Sequence, residues 1–164
     1  AHIVPPKGGE TECAGLRAAY DDLDGATKAQ IETREAEHSI FNSRGQLGHT
    51  DYTPAERASL PSAFHRIVRE HPGSKRRTLY LGAHAASIVG WPIPEGKLLL
   101  RDLQERATER RFVYRHTWQV GDLVIWDNRC TLHRGRPYDD ATHVRDLRRV
   151  TTLDPEKMPA EAAE

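Results

Sequence analysis

The chain has 164 residues, enough for one domain with a packed core and too few for two ordinary ones. Lysine plus arginine equals aspartate plus glutamate at 24 each, so the formal net charge is zero and gives no reason to expect nucleic acid or an anionic membrane as partner. Mean hydropathy is −0.71, no apolar run approaches the length of a membrane span, and the two cysteines, Cys13 and Cys130, form no disulfide framework. These features are expected of a soluble cytoplasmic protein.

The opening AHIVPPKGGE has no starting Met, no basic n-region and no apolar h-region. A processed or cut N-terminus is expected, without a signal peptide. Ala1–Val4 reads as a short strand stopped by Pro5-Pro6, followed by a Lys7–Glu10 turn and a second short strand at Thr11–Cys13. Gly15–Leu23 and Thr27–His38 read as helices, the second with Thr27 and Gln30 spaced like a capping box. Asn42–Thr53 is polar and contains glycine, which predicts a long loop of the kind that often carries function. Phe64–Arg69 and Thr78–Leu81 read as a hairpin around His71–Lys75.

Pro94 occupies a favoured first helical position, with Leu98, Leu99, Leu103 and Ala107 following at helical spacing. The period then changes to two, with Phe112, Tyr114, His116 and Trp118 on one side. Gly121-Asp122 predicts a turn, Leu123–Trp126 a compact apolar strand and Arg145–Leu153 a last strand. Asp154–Glu164, acidic and rich in Ala and Pro, reads as a fraying tail after a domain over residues 1–153. Early helices and clustered late strands predict an α+β chain with a sheet or barrel core.

Chemistry concentrates near the C-terminal end. In Trp126-Asp127-Asn128-Arg129-Cys130-Thr131-Leu132-His133-Arg134, a histidine follows a strand end, where imidazole is held rigidly enough to bind a metal. With nine histidines in the chain, the residue pattern alone favours a surface or capping role for His133. In Arg145-Asp146-Leu147-Arg148-Arg149, an extended backbone would put Arg145 and Arg149 on one face, suited to two carboxylates. A solvated edge strand has the same pattern. Cys130 and His133 form a C-x-x-H pair without the further ligands zinc requires. His71 and His84 flank the hairpin and could meet, although hairpin-surface histidines are the plainer reading. Gly8-Gly9-Glu10-Thr11 lacks the Lys-Ser/Thr ending of a phosphate loop. The G-x-S-x-G and H-E-x-x-H signatures are absent.

Four segments occur in an order that resembles the taurine/2,4-dichlorophenoxyacetate dioxygenase family. HIVPPKGGETECAGLRAAYDDL is similar to its V-x-P-x-G-G-x-T element and following helix. VREHPGSKRRTLYLGAHA is similar to its R-x-H-P hairpin, GDLVIWDNRCTLHRG to its G-D-x-x-x-W-D-N-R-x-x-x-H signature, and VRDLRRVT to its R-x-x-x-R-x-T ending. The resemblance runs from about Ala1 to about Thr152. It implies a double-stranded β-helix (jelly-roll) core with flanking helices and one Fe(II), with 2-oxoglutarate and O₂ as co-substrates.

Residue by residue, the resemblance implies that His133 is the distal iron ligand and Thr11 and Arg145 hold the 2-oxoglutarate carboxylate. Arg149 then lies near the substrate's anionic group. An arginine suits the carboxylate because its fork is planar and always charged. His133 and Arg145 are twelve residues apart, one more than the resemblance leads one to expect; an insertion in the Tyr138–His143 loop accounts for it.

The family's H-x-D ligand pair should lie upstream of Gly8–Thr11. His49-Thr50-Asp51 spells H-x-D but stands downstream, in a loop where relatives carry no ligand, so it is rejected on order. A C-terminal fragment is therefore expected, with its N-terminal part missing and the isolated chain inactive.

HSIFNSRGQLGHTDYT and EGKLLLRDLQERAT look closer to the 2,4-dichlorophenoxyacetate branch. The implied activity is hydroxylation of an anionic small molecule such as an aryloxyalkanoate, giving a phenol, a 2-oxoacid, succinate and CO₂. Taurine, another sulfonate or an alkyl sulfate is the alternative substrate. A non-catalytic jelly-roll binding module and a zinc protein built on Cys130 and His133 are the alternatives of other classes. A homo-oligomer is compatible with either.

Overall fold

A computed structural model describes residues 1–152. Among the described residues eight strands and five α-helices make up the α+β chain, but they interleave and are not ordered with helices early and strands late as expected. Strand β1 (Thr11–Gly15) runs directly into α1 (Leu16–Asp22). Helix α2 (Gly25–Ile31) precedes β2 (Glu35–His38), α3 (Ile40–Gly45) and α4 (Pro54–Ser59). Strands β3 (Ala63–Arg66), β4 (Val68–Glu70), β5 (Arg77–Leu79) and β6 (Ala85–Ile88) come next. The long helix α5 (Ile93–Ala107) leads through a short 3₁₀ turn to β7 (Val113–His116), and β8 (Thr131–Gly135) follows. The strands form three antiparallel groups, ordered β7-β1-β8, β3-β2-β6 and β4-β5.

The core lies between α1, α5 and the hairpin strands. Leu16, Ala19, Tyr20 and Leu23 pack with Ile31, Ile67, Leu79, Ile88, Leu100 and Leu103. Each such fully buried aliphatic side chain contributes about 1.5–3 kcal/mol of transfer free energy. Helix α5 starts at Ile93, so Pro94 is its second residue and not its first as predicted; it buries Gly96, Leu100, Leu103 and Ala107 along one stripe, while Leu98 is 69% exposed. Gly96 matters for the approach: a Cβ there would lie 3.2 Å from the Ile88 nitrogen, so glycine allows the helix to sit close on β6.

Several expected elements differ. The helix predicted over Thr27–His38 ends at Ile31, and Glu35–His38 is a central strand between β3 and β6. The cap is Asp24, whose carboxylate accepts the Thr27 amide at 2.8 Å, and not Thr27 with Gln30. The Asn42–Thr53 loop is shorter than predicted because α3 occupies its start. Thr53 and Glu56 form the capping box that opens α4. Leu123–Trp126 is extended in pattern but has no ladder partner among the described residues, and Leu123 and Ile125 are 82% and 85% exposed. Two of the other short strand expectations, Ala1–Val4 and Arg145–Leu153, reduce to a single bridge between Ile3 and Asp146; Leu153 and the Asp154–Glu164 tail lie outside the described residues. The hairpin around His71–Lys75 forms, with Lys75 at a positive φ of 57° in its turn, but its strands are Val68–Glu70 and Arg77–Leu79, and Phe64–Arg66 of the predicted first strand pair with β2 instead. No helix among the described residues is long and apolar enough to cross a membrane.

Candidate functional site

Strand register assigns the faces of the β7-β1-β8 sheet. Cys13 is opposite His133 on one side and Tyr114 on the other, and Thr11 is opposite Gly135 and His116. Directly opposed residues share a face, so Thr11, Cys13, Tyr114, His116 and His133 look the same way. The other face carries Glu12, Arg115 and Arg134 and, further along, Ala14 and Leu132, which approach the hydrophobic core. The strand alternation of β1 therefore separates a site face from a core face.

Glu12 pins the three strands together. Its carboxylate accepts from Arg115 at 2.7 and 2.9 Å and from Arg134 at 2.8 Å. These two guanidinium groups, Arg115 foremost, hold its pKa below the ordinary carboxylate range despite burial.

On the site face, the buried Thr11 hydroxyl accepts the Trp118 indole N–H at 2.9 Å, leaving its own proton free to donate to a ligand oxygen. The predicted one-sided run is real for Tyr114, His116 and Trp118, whose rings follow one another at 6.3 and 4.6 Å. Phe112 instead packs against the core.

His133 is on β8, with the Trp126 ring 4.9 Å from its own at 45°. Local desolvation, and then the positive charge of Arg149, push its pKa down. Neutral imidazole is the form that binds metals. Arg149 thus acts electrostatically on His133, although no strand carries it.

Arg145 lies on the Gly8-Gly9 turn. Both glycines have positive φ, 80° and 71°. The Arg145 Nε donates to the Gly9 carbonyl at 3.0 Å, and a Cβ on Gly9 would stand 3.2 Å from the arginine's Cδ and Nε. Glycine thus serves both the turn and the close approach of the guanidinium. Among the described residues the two terminal nitrogens of Arg145 have no hydrogen-bond partner. Asp146 is fixed by reciprocal backbone bonds with Ile3, both 2.9–3.1 Å. The Gly8–Thr11 element and the Arg145 segment are therefore neighbours, over a separation in sequence of 136 residues. A free guanidinium fork, a donating hydroxyl and an imidazole fit a dicarboxylate chelated to a metal ion.

Other candidates are separated. His71 and His84 do not meet: His71 is buried and bonds Asp127 at 2.9 Å, whereas His84 bonds Ser43 at 2.8 Å. The hairpin-surface reading fails for His71. His49 and Asp51 line an open depression with Arg44, Gly48, Thr50 and Tyr52. Cys130 and His133 do not converge. Cys130 turns toward His71 and Asp127, the group among the described residues whose ligand atoms, within 4.8 Å of one another, are close enough for a metal. Those donors are committed already: Asp127 to the Arg129 guanidinium, and the His71 Nδ1 to the Ser74 amide at 3.0 Å. Arg129 is the main reason that the Asp127 pKa falls far below the carboxylate range, with His71 adding to it.

Sequence reasoning missed Glu12, Asp127, Trp118 and Trp126 as site-shaping residues. The W-D-N-R string and the alternation through Trp118 were visible, but their partners are far away in sequence.

Residues 1–151 match the family described as Taurine catabolism dioxygenase TauD, TfdA family. The chain is 53% identical over 154 residues to the alpha-ketoglutarate-dependent 2,4-dichlorophenoxyacetate dioxygenase of Cupriavidus pinatubonensis, covering 94% of this chain and 53% of the relative. It is 39% identical over 145 residues to the (S)-phenoxypropionate/alpha-ketoglutarate-dioxygenase of Sphingobium herbicidovorans, covering 85% and 50%. The structure of AAD-2 in complex with Mn(II) and N-oxalylglycine superposes with a TM-score of 0.87 at 52% identity, covering 90% of this chain and 58% of that one. The chain spans about half the length of the curated relatives it matches. The mixed helix-and-sheet architecture fits the jelly-roll expectation. On the match over residues 1–151, the chain belongs to the taurine catabolism dioxygenase TauD, TfdA family.

Proposed function

We propose that the protein is an Fe(II)/2-oxoglutarate-dependent dioxygenase that hydroxylates an anionic aryloxyalkanoate such as 2,4-dichlorophenoxyacetate. The observation that carries this reading is the placement of Arg145 against the Gly9 carbonyl, beside the strand that bears Thr11 and pairs with the His133 strand. Support for the substrate class comes from the relatives named for 2,4-dichlorophenoxyacetate and phenoxypropionate.

In this reading His133 is one iron ligand, Thr11 and Arg145 hold the far carboxylate of 2-oxoglutarate, and Arg149 faces the substrate anion. The bound iron supplies the oxidising chemistry that couples decarboxylation of 2-oxoglutarate to succinate with insertion of oxygen into a C–H bond. The protein's own groups orient. The Arg145 fork can grip two carboxylate oxygens in its plane while its Nε stays on Gly9. The Thr11 hydroxyl, whose oxygen already accepts from Trp118, would donate its proton to the same carboxylate. Burial first and the Arg149 charge second lower the His133 pKa and favour its neutral form, and the same charge would draw the substrate anion toward it. Hydroxylation beside the ether oxygen then collapses to a phenol and a 2-oxoacid. Among this chain's residues, this reading assigns His133 alone to the iron, and the small-molecule substrate needs no nucleic acid or membrane partner. A cytoplasmic setting agrees with the two free cysteines.

The test is succinate release by the full-length protein with phenoxyacetates, taurine and alkyl sulfates in parallel. Phenoxyacetate-dependent succinate and phenol are expected in equal amounts. Turnover confined to taurine or an alkyl sulfate would overturn the substrate reading. Absence of any 2-oxoglutarate-dependent turnover, with iron present, would favour a binding module.

A further inference from the structure

His71, Asp127 and Trp126 form a chain of contacts that ends on His133. We propose that His71 is a positioning residue for His133, acting through Asp127 and Trp126; this rests on the reading of His133 as an iron ligand.

The direction of each contact follows from the partners. The Ser74 amide donates to the His71 Nδ1 at 3.0 Å, so the ring proton is on Nε2. Nε2–H therefore donates to the Asp127 carboxylate at 2.9 Å. The same carboxylate accepts the Arg129 backbone amide at 2.9 Å and its guanidinium at 2.8–3.2 Å. The Asp127 carbonyl accepts the Cys130 amide at 3.2 Å. Residues 127–130 are thus a tied turn immediately before β8, held to the hairpin turn across 56 residues of sequence. Trp126 is the next residue outward. Its indole N–H is fixed on the Asn128 side chain at 2.9 Å, and its ring leans on that of His133 at 4.9 Å.

The His133 ring needs this support. A metal-bound histidine ordinarily hands its second ring nitrogen to a carboxylate or carbonyl, which sets the ring's orientation. Among the described residues no protein group hydrogen-bonds either nitrogen of His133. Its strand neighbour on β1 is Cys13, a small side chain. Trp126 is the ring contact that limits rotation of the imidazole, and Asp127 fixes the backbone from which Trp126 projects. The buried His71, with both nitrogens committed, is then a strut and not a ligand of iron or substrate.

The test measures Mn(II) affinity of the full-length protein by the EPR signal of free Mn(II), in the parent and in His133→Ala, His71→Ala, His71→Gln and Trp126→Leu. His133→Ala is expected to abolish binding. His71→Ala and Trp126→Leu are expected to weaken it about tenfold, the range found when groups supporting a metal ligand are removed. His71→Gln, whose amide N–H can reach Asp127, should stay within about threefold of the parent. Backbone amide exchange over residues 131–135 in metal-free Trp126→Leu should match the parent, which separates aiming the ring from holding the strand.

If His71→Ala does not fold, His71→Gln and Trp126→Leu carry the test. Parent-like affinity in Trp126→Leu, with binding abolished in His133→Ala, overturns the positioning role and leaves the ligand reading intact. Unchanged binding in His133→Ala overturns both. Fast exchange over residues 131–135 in Trp126→Leu reduces the contact to a structural one and overturns the proposal. Metal binding retained in His133→Ala but lost in His71→Ala would place the ion at His71, Asp127 and Cys130 instead, and overturns it as well.

Discussion

The helix-backed core and the β7-β1-β8 sheet are built by different rules. In the core, α1, α5 and the β4-β5 hairpin meet through aliphatic side chains that are almost wholly buried, such as Leu16, Ile67, Leu79 and Leu103. Contacts there are interchangeable to first order, since area and volume set their strength. In the sheet, one strand carries a buried carboxylate between two arginines on one face and Thr11 and Cys13 on the other. Those contacts depend on direction and charge. The core makes the fold stable; the sheet decides which atoms face one another.

Substitutions in the two regions should therefore fail in different ways. The largest effect is expected for His133→Ala in the full-length protein: turnover falls to background while the urea midpoint barely moves. A large loss of stability instead would make His133 a structural residue and erase the contrast. Arg145→Ala should raise the KM for 2-oxoglutarate by about 30-fold or more, the usual cost of losing a charged hydrogen-bond partner in a site. An unchanged KM, measured by succinate release at saturating substrate, would remove Arg145 from the carboxylate site. Leu103→Ala should show the opposite pattern, losing about 2–5 kcal/mol of unfolding free energy with KM intact.

The smallest expected effect is a pH dependence in the β3-β2-β6 sheet. Burial foremost, then the charges of His65, His84 and Arg69, lowers the His38 pKa to about 4 from an ordinary value near 6.5. The folded state favours the neutral ring, so the unfolded state binds more protons as the medium becomes acidic. Stability present above about pH 6.5 is then lost as pH falls toward about 4. Urea midpoints across that window should fall less steeply for His38→Gln than for the parent. Equal slopes would assign the acid sensitivity elsewhere.

What the sequence made legible follows the same division. Helix α5 could be read from Pro94 and the spacing of its leucines, and the β4-β5 hairpin from its turn residues, because both signals are local. Glu35–His38 was misread as helix because its strand character comes from pairing with β3 and β6, which lie far along the chain. Leu123–Trp126 has the apolar run of a buried strand, but an apolar run supplies no ladder partner. At the candidate site, Thr11, His133, Arg145 and Arg149 were singled out through motif order. That Arg145 sits on Gly9 could not be read locally, since the two are 136 residues apart. Asp127 was visible as a letter of W-D-N-R, yet its role depends on His71, in a different motif. The zinc reading of Cys130 and His133 failed because adjacent motif letters turned to different neighbours.

The central position of β1 also has a consequence for biosynthesis. Glu12 emerges from the ribosome before its arginine partners, which follow 103 and 122 residues later. Until then the carboxylate has no reason to leave water, and β1 has neither neighbour to pair with. Helix α1 and the hairpin can gather beforehand, since their partners are nearer in sequence. The strand that carries Thr11 is therefore made well before it can be locked into place.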